Sequence, residues 1–298
     1  MFALTRREMI EALFGAPALR RLLQEGGPGD ARMLEPTLAR INVPVAGLDR
    51  RLDGMRIGQI SDAHIGAFLG LDHLERAVAP FLADPPDIMT VTGDLLDDAS
   101  LMPACLEIVS RIKAPYGRFI IMGNHENYAG RDDVLKAMRP HAGFTSLLNE
   151  ETLVRVQGAV VHVSGLDYPP GKQPTKIRWI TTPLPHPVYL REFPNIVEDV
   201  GRSTQKVDSA DFRLSLAHHP DNFEEIRKRG VELTLSGHTH GGQVAPVGTY
   251  FARAVFKYNH GLYREGNSHV YVNGGTGHWW PLRIGIPAEV TELTLRRV

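Results

Sequence analysis

The chain has 298 residues, with 33 Lys and Arg against 34 Asp and Glu, 13 His and one Cys. This length predicts one large domain or two small ones, with enough chain to bury a core without staples. A single cysteine excludes an internal disulfide framework and any cysteine-rich zinc or iron–sulfur site. A formal net charge of −1 argues against a dedicated nucleic-acid-binding protein, because such proteins usually carry excess Lys and Arg.

Residues 1–39 are predicted to form an amphipathic helix over 1–25 and a linker. Apolar side chains recur there at spacings of three and four, and a break rich in Gly and Pro follows. The segment Thr5-Arg6-Arg7 is similar to a twin-arginine export signal, but Glu11 interrupts the apolar region. Three interpretations stay open: a degenerate export signal, a helix in peripheral contact with a membrane, and a terminal helix docked on a cytoplasmic protein.

Strands alternate with helices from residue 40 onward, which predicts an α/β layered sheet. The expected strands are 40–45, 55–61, 87–92, 118–122, 152–156, 159–164, 212–217, 232–236 and 289–295. The expected helices are 71–83, 101–113, 132–140 and 222–229. Cys105 falls among apolar neighbours in the second of these helices and is expected in the core.

Residues 167–210 interrupt the alternation and are rich in proline. A long segment without predicted elements is often a lid or a binding loop, and the other interpretation is an excursion that packs on its own domain. Since no internal repeat or interdomain linker is evident, residues 40–298 are interpreted as one domain with an insertion at 167–210.

Five segments place polar, metal-capable side chains directly after predicted strands. They are Asp62-Ala63-His64, Gly93-Asp94 with Asp97, Gly123-Asn124-His125-Glu126, His218-His219 and His238-Thr239-His240. Ligands of α/β sheets gather beyond the carboxyl ends of strands, so these tips can converge on one site. On extended backbone, residues two apart point to the same side, as Asp62 and His64 would. Adjacent small residues let the backbone approach an ion or a phosphate.

This ordered series resembles the calcineurin-like metallophosphoesterases, over about residues 40–298. The segments 236–243 (SGHTHGGQ) and 283–294 (RIGIPAEVTELT) are similar to the YkuE/YaeI type of bacterial phosphodiesterase. The resemblance implies a β-sandwich flanked by helices, with four α/β/β/α layers and two metals at the strand ends. That branch includes enzymes that cleave the pyrophosphate of UDP-2,3-diacylglucosamine.

The resemblance also implies a role for each site residue. One metal would be held by Asp62, His64, Asp94 and His240, and the second by Asp94, Asn124, His218 and His238. The spacing Leu-x-His-x-Pro assigns the ligand to His218 rather than to His219. Asp97 would hydrogen-bond within the site, and His125 would protonate the leaving oxygen or stabilise the transferring phosphoryl group.

Mixed nitrogen and oxygen ligands suit Mn²⁺, Fe, Zn²⁺ or Co²⁺ better than Mg²⁺ or Ca²⁺, and Mn²⁺ is favoured here. Two such ions can share a bridging hydroxide that attacks phosphorus. The expected reaction is therefore hydrolysis of a phosphodiester or pyrophosphate bond in a small or lipid-linked ester, with no nucleic acid as partner. A phosphomonoesterase, a nuclease and a non-catalytic binding scaffold are the alternatives.

The other histidines and the C-terminal aromatic residues have plainer interpretations. Ordinary surface or hydrogen-bonded roles are expected for His73, His141, His162 and His269. Loop positions leave a substrate-facing alternative for His186, His260 and His278. Either an apolar mouth or packing of the terminal strands would explain Trp279, Trp280, Phe251, Phe256 and Tyr258.

Overall fold

Two six-stranded sheets form the centre of the fold. The computed structural model describes residues 34–66, 68–139, 143–170, 193–243, 247–278 and 283–298. The first sheet contains, in spatial order, β1 (Thr37–Val45), β12 (Glu289–Arg297), β2 (Arg56–Ile60), β3 (Ile88–Thr92), β4 (Arg118–Ile121) and β5 (Thr145–Ser146). The second contains β10 (Gly261–Glu265), β11 (Ser268–Val272), β9 (Leu233–Ser236), β8 (Phe212–Leu216), β7 (Ala159–Gly165) and β6 (Glu150–Val156).

The inner strands of both sheets run parallel except β12, which is antiparallel to β2. In the first sheet β2, β3 and β4 pair in parallel, and in the second β7, β8, β9 and β11 do so. The carboxyl ends of parallel neighbours lie at one edge of a sheet, so the segments that follow β2, β3, β4, β8 and β9 lie beside one another.

Helices cover the outer faces of the two sheets. The helices are α1 (Leu71–Ala83), α2 (Met102–Ser110), α3 (Asn124–Met138), α4 (Ile196–Ser203), α5 (Phe223–Ile226) and α6 (Val247–Val255). On the first sheet, Leu74, Phe81 and Leu106 of the helices share an apolar cluster with Ile60 and Val91 of the strands. Two further apolar clusters lie on the side of the second sheet. One contains Ile196, Val200 and Ile226, and the other contains Phe223, Val270 and Val272.

Apolar side chains from both sheets meet in a common core. Ile57, Ile121 and Leu293 of the first sheet share one buried cluster with Val161 and Leu214 of the second. Burial of such side chains stabilises the fold by about 1.5–3 kcal/mol each. The order helix, sheet, sheet, helix confirms the predicted four-layer sandwich.

One helix starts much earlier than the sequence predicts. The expected helix 132–140 is part of α3, which begins at Asn124 and passes a kink at Gly130. The reason lies in the first turn, where the Glu126 carboxylate accepts the Gly123 N–H at 2.7 Å and so satisfies an amide that a helix start leaves without a partner. Asn124 therefore lies in a helical turn rather than on an extended strand tip.

The described part of the insertion packs on the domain. Residues 193–210 contain α4, and Phe193, Ile196 and Val200 are buried in one cluster with Tyr168. The expectation that this stretch lacks regular structure is wrong for α4. Residues 171–192 of the insertion, with His186, lie outside the described residues, as do residues 1–33, His141 and Trp279-Trp280. None of the helices described is both long and apolar enough to cross a membrane.

His162 is a buried histidine far from the strand tips. Its side chain on β7 is fully buried, and its Nε2 lies 2.9 Å from Glu151 Oε2. Burial lowers the pKa of His162 and outweighs the opposing effect of Glu151, while the positive charges of Arg213 and Lys206 lower it further. The folded protein therefore disfavours the charged imidazolium.

We expect His162 to contribute to a loss of stability below about pH 6.5, the ordinary histidine value. Because the unfolded chain takes up this proton at a higher pH than the folded one, the free energy of unfolding falls as the pH falls through that value. His162→Gln keeps a donor for Glu151 but has no charge to gain. In this variant, urea denaturation should show a smaller fall in the free energy of unfolding between pH 7.5 and 5.5 than in the parent protein. An equal loss in both proteins would contradict this.

Candidate metal centre

Five chain segments bring nine polar side chains to the common edge of the two sheets. The segment after β2 contributes Asp62 and His64, and the one after β3 contributes Asp94 and Asp97. The start of α3, after β4, contributes Asn124 and His125. The segments after β8 and β9 contribute His218, His238 and His240.

One group of donor atoms joins Asp62, His64 and His240. The Nε2 atoms of His64 and His240 are 3.0 Å apart, and His240 Nε2 lies 3.3 Å from Asp62 Oδ1. One donor atom from each of the three residues lies within 4.8 Å of the others. Nitrogen ligands bind Zn²⁺ at about 2.0–2.1 Å, so neighbouring ligands of one ion stand about 3 Å apart. This spacing fits a shared cation.

A second group joins Asp94, His218 and His238. Its donor atoms also lie within 4.8 Å of one another, and His218 Nε2 is 3.1 Å from Asp94 Oδ2. The angle does not suit a hydrogen bond, so this buried Nε2 has no hydrogen-bond partner. Asn124 Oδ1 lies 2.9 Å from His238 Nδ1. A cation ligand requires a nitrogen lone pair beside carboxylate oxygens, and this position of His218 Nε2 can supply one once the nitrogen is deprotonated.

Asp94 belongs to the second group and also approaches the first, and with His64 and His125 it forms a further set of donor atoms within 4.8 Å of one another. Its Oδ2 is 3.1 Å from His218 Nε2 and 3.9 Å from His64 Nε2. The Asp94 side chain is thus placed to contact cations on both sides.

The backbone at these positions is strained. Five of the aspartates and histidines have positive φ angles: Asp62 (54°), His64 (50°), Asp94 (51°), His238 (71°) and His240 (50°). Residues other than glycine avoid this region, at a cost of the order of 1 kcal/mol each. The expected extended backbone is therefore wrong for these pairs, although Asp62 and His64 do face one centre. Such strain clusters at functional sites.

Burial and charge act in opposite directions on the site's ionisable groups. Burial raises the pKa of Asp62 and Asp94, but nearby histidines outweigh it and hold both values below the ordinary range. Burial lowers the pKa of His218, yet Asp94 and Asp62 outweigh it and raise the value to about 10. For His238 and His240 burial prevails, with pKa values of about 3 and 4. These two imidazoles are neutral at pH 7, as metal ligands must be, whereas His218 would lose its proton on binding a cation.

Asp97 connects two histidines rather than joining either group. Its Oδ1 accepts from His125 Nδ1 at 2.5 Å and from His64 Nδ1 at 3.2 Å. Burial raises the pKa of Asp97, but these bonds outweigh it and keep the pKa well below its usual value. The carboxylate therefore orients both rings and leaves the Nε2 atom of each ring on the opposite side.

The Asp62 carboxylate is held from two directions. It accepts the Ser61 hydroxyl at 2.5 Å and the His238 backbone N–H at 2.9 Å. Gly237 is required here because a Cβ at this position would collide with that carboxylate. His218 is oriented in a similar way, since its Nδ1 donates to the Thr92 carbonyl at 2.8 Å.

Glu126 stands in one of the predicted strand-tip segments, but no role was predicted for it. Its carboxylate accepts three backbone N–H groups, from Gly123 at 2.7 Å, Asp94 at 2.9 Å and Leu95 at 2.7 Å. It thereby joins the segments after β3 and β4. The available signal was a glutamate three residues after Gly123, the spacing of a helix-start hydrogen bond.

Aromatic rings enclose the His238 side of the centre. The His219 ring lies 4.9 Å from that of His238, and Phe193 and Phe256 lie 5.5 and 5.4 Å from His219. His219 Nδ1 accepts the Asp221 N–H, and burial, helped by His238 and His218, holds its pKa well below the ordinary value. Tyr258 is buried away from these rings, with its hydroxyl 2.5 Å from Glu224 Oε1, so it forms no part of an apolar mouth.

The histidines given plainer interpretations have polar contacts or lie in buried positions. His73 Nε2 lies 2.9 Å from the Thr276 carbonyl oxygen, and His260 Nε2 lies 3.6 Å from Glu289 Oε1. His269 and His278 are buried.

Known proteins are similar to this chain over most of its length. The family model for calcineurin-like phosphoesterases matches residues 55–242. The uncharacterized metallophosphoesterase YkuE of Bacillus subtilis is 29% identical over 309 residues, which is 99% of each chain. Phosphodiesterase YaeI of Escherichia coli is 30% identical over 243 residues, 79% of this chain and 80% of that one. A dimetal phosphatase structure from Danio rerio aligns with a TM-score of 0.47 and 13% identity, over 77% of this chain and 90% of that one.

The family match spans well over half of the described chain and includes every strand tip of the centre. It confirms the resemblance that the five motifs carry. The chain belongs to the calcineurin-like phosphoesterase family and is a metal-dependent phosphoesterase.

Proposed function

We propose that this protein hydrolyses phosphodiester or pyrophosphate bonds with two divalent cations held at the strand tips. The first cation would be bound by Asp62, His64, Asp94 and His240. The second would be bound by Asp94, Asn124, His218 and His238. The observation that carries the proposal is the pair of donor groups with Asp94 between them.

The donor set favours borderline metals. Imidazole nitrogens supply half of the proposed ligands, and oxygens of Asp and Asn supply the rest. Mg²⁺ and Ca²⁺ prefer oxygen, whereas Mn²⁺, Fe, Zn²⁺ and Co²⁺ accept this mixture, and we favour Mn²⁺. When bound, such cations supply Lewis acidity towards phosphoryl oxygens and lower the pKa of water.

His125 would donate a proton to the leaving oxygen. Because Asp97 holds Nδ1 at 2.5 Å, we assign the transferred proton to Nε2. The side chain is 14% exposed, which leaves one edge of the ring open to a substrate. Asp97 would act as a positioning residue, since it also holds His64. An alkoxide leaving group needs such a proton far more than a nitrophenolate does.

A diester or pyrophosphate is the favoured substrate class, and a lipid-linked one such as UDP-2,3-diacylglucosamine is the specific candidate. The segments 236–243 and 283–294, which are similar to the YkuE/YaeI type, support this choice, and the diester is also supported by the relative YaeI, which is named a phosphodiesterase. A net charge of −1 disfavours a nuclease, which neutralises several phosphates with Lys and Arg. The phosphomonoesterase and the non-catalytic scaffold are outcomes of the first test below.

With Mn²⁺ added, we expect faster hydrolysis of bis-p-nitrophenyl phosphate than of p-nitrophenyl phosphate. The same assay with UDP-2,3-diacylglucosamine tests the lipid-linked substrate. Faster cleavage of the monoester would identify a phosphomonoesterase. No turnover of any substrate with any added divalent cation would favour a binding scaffold and overturn the proposal.

Asp94→Asn should lower the content of both cations, because Asp94 lies between the two donor groups. Neutralising the carboxylate removes the charge that they share, and activity on the diester should fall by at least about 100-fold. Elemental analysis after dialysis against Mn²⁺ measures the content. Asp211→Asn, an exposed carboxylate bound to the Val160 N–H, is the control and should retain both cations. Unchanged content in Asp94→Asn would remove Asp94 from the ligand set.

His125→Ala should keep both cations and lose activity in proportion to the basicity of the leaving group. Loss of a general acid typically costs about 10²–10⁴-fold for a poor leaving group. A methyl phosphodiester should therefore show a larger loss of kcat than the nitrophenyl diester. His162→Gln serves as the control histidine. Equal losses on both substrates would refute the assignment of the acid.

A further inference from the structure

Arg283 has the largest fully buried side chain in the described part of the protein, with 1% of its surface exposed. Arginine is almost never buried to this extent unless it is paired. Within the described residues, its hydrogen bonds go to backbone carbonyls rather than to a carboxylate. Burial lowers the pKa of Arg283 to about 10, so the side chain carries its charge at pH 7. A desolvated cation in such a place indicates a specific role.

The guanidinium holds the loop 274–278 from one side. Its Nη2 donates to the carbonyls of Gly275, at 3.1 Å, and of Gly277. Its Nη1 donates to the carbonyl of Ile286 at 3.2 Å. One rigid planar group thus connects two turns of the chain between β11 and β12.

The same loop is bonded to the backbone that leads into Asp62. Thr276 N–H donates to the Ser61 carbonyl and Gly277 N–H to the Asp62 carbonyl, both at 2.8 Å. The approach is so close that a Cβ on Gly277 would collide with the Ala63 carbonyl. Any shift of this loop therefore moves the segment that carries Asp62 and His64.

Arg283 also contacts His240 directly. Its Nη2 lies 3.2 Å from His240 Nδ1, on the opposite side of the ring from the Nε2 that faces His64 and Asp62. A Cβ on Gly275 would lie 2.6 Å from the same Nδ1. The imidazole is therefore held between the guanidinium and the other members of its donor group.

We infer that Arg283 is a positioning residue for the first cation alone. It reaches Asp62 and His64 through the loop 274–278, and it reaches His240 by contact. Its hydrogen bonds include none to Asn124, His218 or His238. The inference rests on the proposed two-cation function and adds that the two sites depend on different supporting residues.

The test is Mn²⁺ binding to Arg283→Met and Arg283→Lys, measured by titration of metal-free protein and by elemental analysis. Loss of such a supporting contact typically costs about 10–100-fold in metal affinity. We expect one of the two Mn²⁺ sites to weaken by at least about 10-fold while the other keeps its affinity. Arg283→Lys should behave similarly, because a compact ammonium lacks the planar guanidinium fork that spans the two turns.

The matched control is Arg118→Met. Arg118 also donates to backbone carbonyls, those of Ile112 and Gly143, but it lies at the amino end of β4, away from the strand tips. This variant should keep both sites. Circular dichroism melting shows whether each variant folds. If Arg283→Met does not fold, the Mn²⁺ affinities of Arg283→Lys, which keeps the charge, test the inference.

Double variants, in which one cation site has already been removed, identify which site Arg283 supports. In His218→Asn only the first site should remain, so adding Arg283→Lys should abolish the remaining Mn²⁺ binding. In His240→Asn, which should lack the first site, adding Arg283→Lys should change the remaining Mn²⁺ affinity little. Equal weakening of both sites, unchanged affinities, or the same loss in Arg118→Met would overturn the inference. A parent protein that binds no divalent cation would instead refute the proposed function itself.

Discussion

One buried carboxylate joins the segments on which the candidate site depends. Glu126 accepts amide N–H groups from the ends of β3 and β4 at the same time. Burial and the nearby Asp94 raise the pKa of Glu126 to about 7, against the lowering effect of its amide bonds. Losing the acceptor would leave buried N–H groups without partners, at about 1–3 kcal/mol each. Asp94 and Asn124 owe their relative positions to this contact.

Close approach of backbones is the second constraint. A Cβ on Gly93 would lie 2.6 Å from the Gly123 nitrogen, and one on Gly123 would lie 2.7 Å from the Asp94 nitrogen. The strand tips therefore touch through main chain, and the space at the centre is left for carboxylates and imidazoles. Small residues beside the functional ones are a consequence of this geometry.

The sequence alone was sufficient to predict the strand and helix alternation and the gathering of polar tips at one edge. These features depend on periodicity and on the position of Asp, Asn and His after apolar runs, which are local. The left-handed backbone at Asp62 and His240 could not be predicted, because contacts with distant segments stabilise it. The same holds for Arg283, whose partners lie in turns that only the folded chain brings together. Which metal ligands share an ion is likewise a property of the assembled tips.

The position of the last strand has a consequence for how the protein is made. β12 lies between β1 and β2, pairing in parallel with the first and antiparallel with the second. The two earliest strands of the described chain therefore cannot be joined in the sheet until β12 has been synthesised. Because the loop 274–278 and Arg283 directly precede β12, their contacts with the Asp62 segment and with His240 also form only after that part of the chain has been made. Such long-range pairing slows folding. Until β12 is available, the first sheet lacks the strand that joins β1 to β2.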